Sequence, residues 1–314
     1  MTVDLTLPSG EFYNREDTTF ASGSERCAAW VYRPTGPPLK PADGSASNGK
    51  YPAIVVGHGI GGIREYGLDR YCARFSELGI ICVAFDYRHF GASTGEPRQL
   101  LDIGLQQQDW KNAIAFVKGL EDVDESRVGI FGSSFGGGHV TYIGSVDPSI
   151  KAIIAQCPFT SGFHSSLTVG FLPLFKLAFL GIRDLFSRGK NIVPVLLAGE
   201  PGQAALMNSP EAMDYKLIVP EHLQDGPNYV AARFALKISF YNPGWRTSSI
   251  KSPILFGVCG KDSVAPPGPT LKYAAKAKDA TIKLYKDMGH FDIYVGPQFD
   301  EATKDYCTFL RSKL

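Results

Sequence analysis

Apolar residues along this chain follow two rhythms, separated by a glycine-, serine- and proline-rich stretch, "TGPPLKPADGSASNGK". Before it, "TTFASGSERCAAWVYRP" alternates around a central Gly-Ser, as a β-hairpin does. After it come the short, β-branched runs "YPAIVVGHG", "IICVAFDY" and "SRVGIFGSS", each ending in polar or glycine residues. Such runs suit central strands buried on both faces. Helical segments lie between them: "LDRYCARFSELG" places Tyr71, Phe75 and Leu78 on one face and stops at Gly79, and "QQQDWKNAIAFVKGL" spaces Trp110, Ala113, Ile114 and Val117 in the same way. "IKAIIAQCP" and, much later, "SPILFGVCG" and "ATIKLYKDM" extend the alternation, which predicts a mainly parallel sheet with helices on both sides.

The alternation breaks between about Thr160 and Ile250. Within this stretch "VGFLPLFKLAFLGIRDLF" is helix-like and apolar over more of its circumference than a surface helix needs, with Lys176, Arg183 and Asp184 as its only charged stripe. Pro173 and the three charges argue against a membrane span. An ordinary core helix would account for the pattern; the preferred expectation is a helical lid whose surplus apolar surface lines a substrate pocket. The expected organisation is a core of residues 1–160 and 251–314 with a helical lid insertion at 161–250.

Two glycine-rich turns follow strands. "GHGIGG" fits G-x-G-x-x-G through Gly57, Gly59 and Gly62, with Asp86 at the end of the next strand, which is the dinucleotide-binding pattern. A dinucleotide turn leads straight into its helix, whereas "IREYGLDR" intervenes here. The favoured expectation is therefore a turn whose backbone N–H groups, that of Ile60 above all, face a developing oxyanion. The second turn, "GIFGSSFGGGHV", has five glycines between Gly129 and Gly138. Gly132, Ser134 and Gly136 spell G-x-S-x-G between a strand and a helix. An abrupt strand-to-helix turn strains its central residue and leaves no room for side chains two positions away, so glycines belong there. Ser134 is then the raised nucleophile, Ser133 its neighbour, and the Phe135 N–H at the helix start a second oxyanion donor.

A serine nucleophile requires a histidine base and an orienting carboxylate, expected in the order Ser, acid, His. Six histidines compete. His58, His139 and His89 sit in or beside turns and suit packing or loop-fixing roles, and His164 and His222 fall in the expected lid. His290, in "KDMGHFD" after the last predicted strand, is the expected base. No carboxylate follows the strand in "IKAIIAQCPFTSGFHSS", but Asp262 lies just past the one in "PILFGVCGKDSVAPP". Asp287 and Asp292 are too near His290 in sequence to reach its far nitrogen easily.

Composition narrows the partners. The 32 basic and 31 acidic residues form no long run of either sign, so nothing points to nucleic acid or an anionic membrane. The six cysteines are scattered, without metal-ligand spacing, which suits free thiols in a reducing compartment. "MTVDLTLPSGEFYNRE" lacks a basic n-region and an apolar h-region, so no secretory signal is expected and the protein is read as remaining inside the cell. The terminal Ser312, Lys313 and Leu314 match the tripeptide read by the peroxisomal import receptor.

With these motifs in order, the chain resembles an α/β-hydrolase over nearly all its length. "GHGIGGIREYGLDRYCARFSELGI", "FDYRHFGASTGEPRQLLDIGLQQQDW" and "GSSFGGGHV" more closely resemble the fungal polyketide transferase family, which includes the fumagillin-pathway acyltransferase and hydrolases of Alternaria toxin pathways. The resemblance implies a triad of Ser134, Asp262 and His290, oxyanion donors at Ile60 and Phe135, no metal or redox cofactor, and an acyl group carried as an ester or thioester, on CoA or an acyl carrier for example. It leaves hydrolysis and transfer to an alcohol both open. The alternatives are a general esterase or peptidase-like hydrolase on an unrelated small substrate, and a ligand-binding protein that lost catalysis, which would normally leave a triad position vacant.

Overall fold

The computed structural model describes residues 12–46, 48–187 and 190–314. The N-terminal stretch read as lacking a secretory signal lies largely outside them.

The alternating segment forms a hairpin, β1 (Tyr13–Ser22) and β2 (Glu25–Pro34), that turns at Gly23 and pairs in register from Tyr13 with Pro34 to Ser22 with Glu25. β3 (Tyr51–Gly57), α1 (Leu68–Ser76), β4 (Ile81–Phe85), α2 (Ile103–Lys118), β5 (Val123–Ser133), α3 (Phe135–Val146) and β6 (Ala152–Gln156) follow where the apolar runs place them. The next segment holds α4 (Gly162–Thr168), α5 (Phe171–Leu185), β7 (Pro194–Ala198), β8 (Ala205–Met207), β9 (Tyr229–Ala231) and the single turn α6 (Ala235–Ile238). The chain closes with β10 (Ile254–Cys259), α7 (Pro267–Ala274), β11 (Ala280–Tyr285) and α8 (Gly296–Lys313).

Eight strands make one sheet in the order β1-β2-β4-β3-β5-β6-β10-β11. β2 pairs antiparallel with β1 and β4, and every other neighbouring pair is parallel. The all-apolar strands have a direct cause, since alternate residues enter two different cores. Val55, Val83 and Phe85 pack with Trp110 of α2 and Val140 of α3 on one face; Ile54, Val56, Cys82 and Ala84 pack with Tyr71 and Phe75 of α1 and Tyr306 and Leu310 of α8 on the other. Burial on both faces removes the polar alternation of a half-solvated strand. This is the mainly parallel α/β-hydrolase arrangement that the sequence predicts.

Residues 161–250 are more varied than a helical lid. α4 and α5 are there, but β8-β7-β9 form a separate three-stranded sheet, and several 3-10 turns complete the segment. Its strands are only three to five residues long, too short to show a period. Among the described residues no single helix is long and apolar enough to cross a membrane; α4 and α5 meet at a 118° bend. α5 turns Leu177 inward, while Phe171, Phe175, Phe179 and Ile182 are exposed. The expected charged stripe divides, because Lys176 and Arg183 face solvent but Asp184 is fully buried. Asp184 Oδ2 accepts from Arg233 Nε at 2.6 Å and from the Arg233 N–H at 2.9 Å, and its Oδ1 accepts from the Val193 N–H at 2.6 Å, stapling α5 to the small sheet.

At the far end, Ser312 and Lys313 complete α8, and Leu314 is packed under Arg127, whose Nε donates to the Leu314 carbonyl oxygen at 2.9 Å.

Asp184→Ala removes the acceptor of four N–H groups, two of the backbone and two of the Arg233 guanidinium. Because the Arg233 side chain is partly exposed, the expected loss is about 2 to 4 kcal/mol, reaching below the range of about 3 to 5 kcal/mol for a broken, fully buried pair. Thermal unfolding of the variant measures it, and an unchanged midpoint would contradict the staple.

Candidate active site

β5 ends at Ser133 and α3 begins at Phe135, so the chain reverses from strand to helix at one residue. Ser134 takes φ 55° and ψ −116°, a conformation costly for any residue with a Cβ. The surroundings hold it there. Its N–H donates to the Gln156 carbonyl at 2.9 Å, and its own carbonyl accepts from the Gly138 and Phe159 N–H groups. A Cβ on Gly132 would lie 2.1 Å from the Gly136 carbonyl oxygen, and one on Gly136 would lie 2.5 Å from that of His58. The steric reason for glycine at both positions is thus visible in the packing.

Three predicted residues meet at this turn. Ser134 Oγ lies 3.0 Å from His290 Nε2, and His290 Nδ1 lies 2.6 Å from Asp262 Oδ2. The other Asp262 oxygen accepts from the Val264 and Ala265 N–H groups at 2.9 and 2.6 Å, which fixes the carboxylate against the imidazole. All three side chains are buried. Burial opposes the imidazolium form of His290, but the Asp262 carboxylate, with Cys157 and Glu211 also near, outweighs it and raises the pKa from 6.5 to about 9. Ser133 is turned away, with its hydroxyl bonded to Tyr294 and to Gln156 Nε2.

Ile60 and Phe135 border the same space, and neither backbone N–H has a hydrogen-bond acceptor among the described residues. A Cβ on Gly59 would lie 3.1 Å from Ser134 Cβ, so glycine lets the β3 turn come close to the serine. Asp86, the dinucleotide pattern's acid, is buried and spent on loop contacts: its Oδ1 accepts from the Arg64 N–H at 2.7 Å and its Oδ2 from the Ala92 N–H at 3.0 Å. It has no free face for a ribose.

The other histidines have local duties. His139 bonds Gln106 through Nε2 and the Tyr241 hydroxyl through Nδ1, and His89 bonds the Pro97 carbonyl. His58 bonds the Gly59 carbonyl, and burial lowers its pKa to about 4. His164 meets Ser161, and His222 stands in a 3-10 turn with no buried residue. Asp287 pairs with Lys261, and Asp292 accepts from the Gly289 N–H.

Ligand atoms of Cys157, Asp262 and His290 lie within 4.8 Å of one another, the closest set to a metal cage among the described residues. Both His290 nitrogens are engaged by Ser134 and Asp262, however, which leaves no free lone pair for an ion. Sequence reasoning missed Glu211. Its carboxylate accepts from the His290 N–H at 2.9 Å and from the Ser263 N–H and hydroxyl at 2.6 Å each. Its neighbours "NSPEAMD" carry no periodic or spacing signal that would have marked it.

Two cavities open onto Ser134. One, partly open to solvent, is bounded by Phe159, Val169, Leu174, Leu177, Leu206 and Ile238, with serine, threonine and asparagine side chains but no charged one. The other reaches past His290 to Tyr66, Tyr215 and Tyr294. Ile60, Ser134 and Met207 border both. The arrangement can polarise a hydroxyl through an imidazole beside two unpaired N–H donors, between two mainly apolar spaces.

Comparison with known proteins agrees on fold and family. The profile Hydrolase_4, described as serine aminopeptidase S33, matches residues 52–293. The quorum-quenching protein AidA of Acinetobacter baumannii (strain MDR-ZJ06) is 44% identical over 297 residues, covering 94% of each chain. The thiohydrolase aneE of Aspergillus aculeatus is a more distant relative, 23% identical over 84% of this chain and 86% of its own. Among solved structures, DcsB in complex with its substrate analogue superposes with a TM-score of 0.79 at 20% identity, over 96% of this chain and 99% of its own. The profile match over residues 52–293 and the 44% identical relative establish the broad family.

Gly136→Ala forces a Cβ into the carbonyls of Gly57 and His58 and is expected to cost about 1 to 3 kcal/mol as backbone overpacking. Thermal unfolding checks it; a neutral effect would mean that the turn has slack the packing denies.

Proposed function

The chain belongs to the Hydrolase_4 (serine aminopeptidase S33) family, and from that premise we propose a serine-dependent acyl hydrolase or acyltransferase acting on an ester or thioester. Ser134 Oγ attacks the acyl carbonyl as His290 Nε2 takes its proton, and Asp262 holds the ring and balances the imidazolium. The Ile60 and Phe135 N–H groups receive the tetrahedral oxyanion. His290 then returns the proton to the leaving oxygen or sulfur, and water or an alcohol, deprotonated by the same nitrogen, releases the acyl group.

The carrying observation is the serine hydroxyl at the foot of an apolar cavity with no charged lining residue. A pocket that selects an α-amino group needs a carboxylate to pair with it, so the lining favours a neutral, apolar acyl chain over the aminopeptidase substrate in the family's description. The thiohydrolase relative, and the acyltransferase drtE of Aspergillus calidoustus at 33% identity over 36% of this chain, support thioester cleavage or acyl transfer as the chemistry; that the acyl group is a polyketide or fatty-acyl chain is the expectation from the sequence motifs. The relative named a quorum-quenching protein, 44% identical, keeps the alternative of a general hydrolase on an unrelated small substrate open beside it. No lysine or arginine borders either cavity, so a CoA or acyl-carrier leaving group would keep its phosphates in solvent. Peroxisomal import through Ser312, Lys313 and Leu314 is part of the proposal, and it requires the last turn of α8 to leave Arg127 before a receptor can read it.

Ser134→Ala is expected to lower hydrolysis of acyl-pantetheine thioesters and matched oxygen esters by at least about a thousandfold and to abolish labelling by a fluorophosphonate, with Ser133→Ala still labelled. Turnover undiminished in Ser134→Ala would end the proposal. A second expectation concerns pH. The attack needs neutral His290, and the imidazolium is favoured in the folded site, so kcat/KM should rise with pH and reach half its plateau well above 6.5, toward 9. A profile already flat from mildly acid pH would contradict His290 as the base.

A further inference from the structure

We infer that Glu211 is a positioning residue that ties the lid segment to the base: its carboxylate bridges the backbones of the two loops that carry Asp262 and His290. The inference rests on the reading of Ser134, His290 and Asp262 given above and deepens it. Oε1 takes the His290 N–H at 2.9 Å, while Oε2 takes both the N–H and the hydroxyl of Ser263, the residue after Asp262, at 2.6 Å. One carboxylate therefore sets the distance between the two loops whose side chains must meet at 2.6 Å.

The site is shaped for this side chain. A Cβ on Gly289 would lie 1.8 Å from Glu211 Oε1, so the glycine before His290 leaves the space that the carboxylate fills. The Gly289 N–H goes to Asp292 Oδ2 at 2.7 Å, and successive N–H groups of this turn thus meet two separate carboxylates. Glu211 enters from residues 161–250, four positions after Met207 and two after Ser209, both of which border the apolar cavity. Asn208, between them, is anchored within the lid by bonds to the Val169 and Gln203 carbonyls at 3.0 Å. A displacement of the cavity wall is transmitted to the loop of the base. Glu211 itself borders neither cavity, so its effect reaches substrate only through His290.

A glutamine cannot replace it. The carboxylate accepts on both oxygens, whereas an amide turns its NH2 toward either the His290 N–H or the Ser263 donors and loses that contact. The negative charge is lost as well. The ionisable groups around His290 are Asp262 from the loop after β10, Cys157 from the residue after β6, Glu211 from the lid and Asp292 in its own turn. Removing Glu211's charge leaves the imidazolium less favoured, and the ring gives up its proton at lower pH.

The test uses the full chain and p-nitrophenyl octanoate, with kcat and KM followed from mildly acid to alkaline pH for Glu211→Gln, Gly289→Ala, the double variant and His290→Ala. Glu211→Gln is expected to lower kcat by about tenfold to a hundredfold with KM nearly unchanged, as slight misplacement of a reacting group does. Its rising limb should move to lower pH. Gly289→Ala, which keeps the charge but displaces the carboxylate, should lower kcat similarly, and the double variant should be no worse than the poorer single one. A Glu211→Gln enzyme with unaltered kcat and an unmoved limb, or full additivity in the double variant, overturns the inference even if its melting temperature falls. Should Glu211→Gln fail to fold, Gly289→Ala decides, and unchanged kcat there overturns it. Activity retained by His290→Ala would instead remove the site reading itself, whereas loss there with a normal Glu211→Gln removes only the role of Glu211.

Discussion

Backbone crowding at the β5–α3 turn governs the rest of the site. Gly132, Gly136 and the carbonyls of Gly57 and His58 approach so closely that no Cβ fits at either glycine. That contact requires β3 and β5 to lie side by side and in register, Gly57 opposite Gly132, with β6 next to them and Ser133 opposite Gln156. The Gln156 carbonyl then accepts the Ser134 N–H. A residue at φ 55° persists only where its neighbours over-determine it, and here two strands and the first turn of a helix do so. The centre of the sheet and the geometry of the serine are a single packing solution.

Buried and half-buried carboxylates follow the same rule. Asp86, Asp184 and the half-buried Glu211 each join segments distant in sequence in part through backbone N–H groups, whereas Asp262 takes the N–H groups of its own turn and reaches His290 through the ring. A carboxylate away from water is tolerable only with its lone pairs occupied, and loops offer the unpaired N–H groups that can occupy them. Segment 161–250, the β3 turn and the loops of Asp262 and His290 are consequently held by charge-assisted bonds, and the cavities between them need no charged lining residue of Lys, Arg, Asp or Glu.

The sheet, and the three residues Ser134, Asp262 and His290 that meet beside it, were legible because strands and the turns that follow them are local in sequence. Strands buried on two faces read as apolar runs, and G-x-S-x-G records a steric requirement within five residues. Asp262 and His290 could be chosen because a strand must precede each and competing carboxylates and histidines fell in the wrong places. Ser133 and Ser134, adjacent and chemically identical, were separated only by glycine spacing, and the structure gives them opposite directions. The lid was less legible. β7, β8 and β9 are too short to carry a period, and Asp184 looked like a surface charge because its partner Arg233 lies 49 residues away. Glu211 binds two backbone N–H groups beside one serine hydroxyl, and a backbone donor leaves no mark on the sequence that supplies it.

The pairing of Asp262 and Glu211 around one imidazole divides two tasks that a single carboxylate performs poorly. Asp262 meets the ring itself, so it fixes tautomer and orientation and favours the charged form directly. Glu211 meets the backbone of the same residue and the two Ser263 donors, while both ring nitrogens are engaged by Asp262 and Ser134. It can therefore add negative potential and hold the loop without competing in proton transfer. Because it comes from the chain that walls one of the two cavities, the placement of His290 and the shape of that cavity are set by the same short segment, Met207 to Glu211.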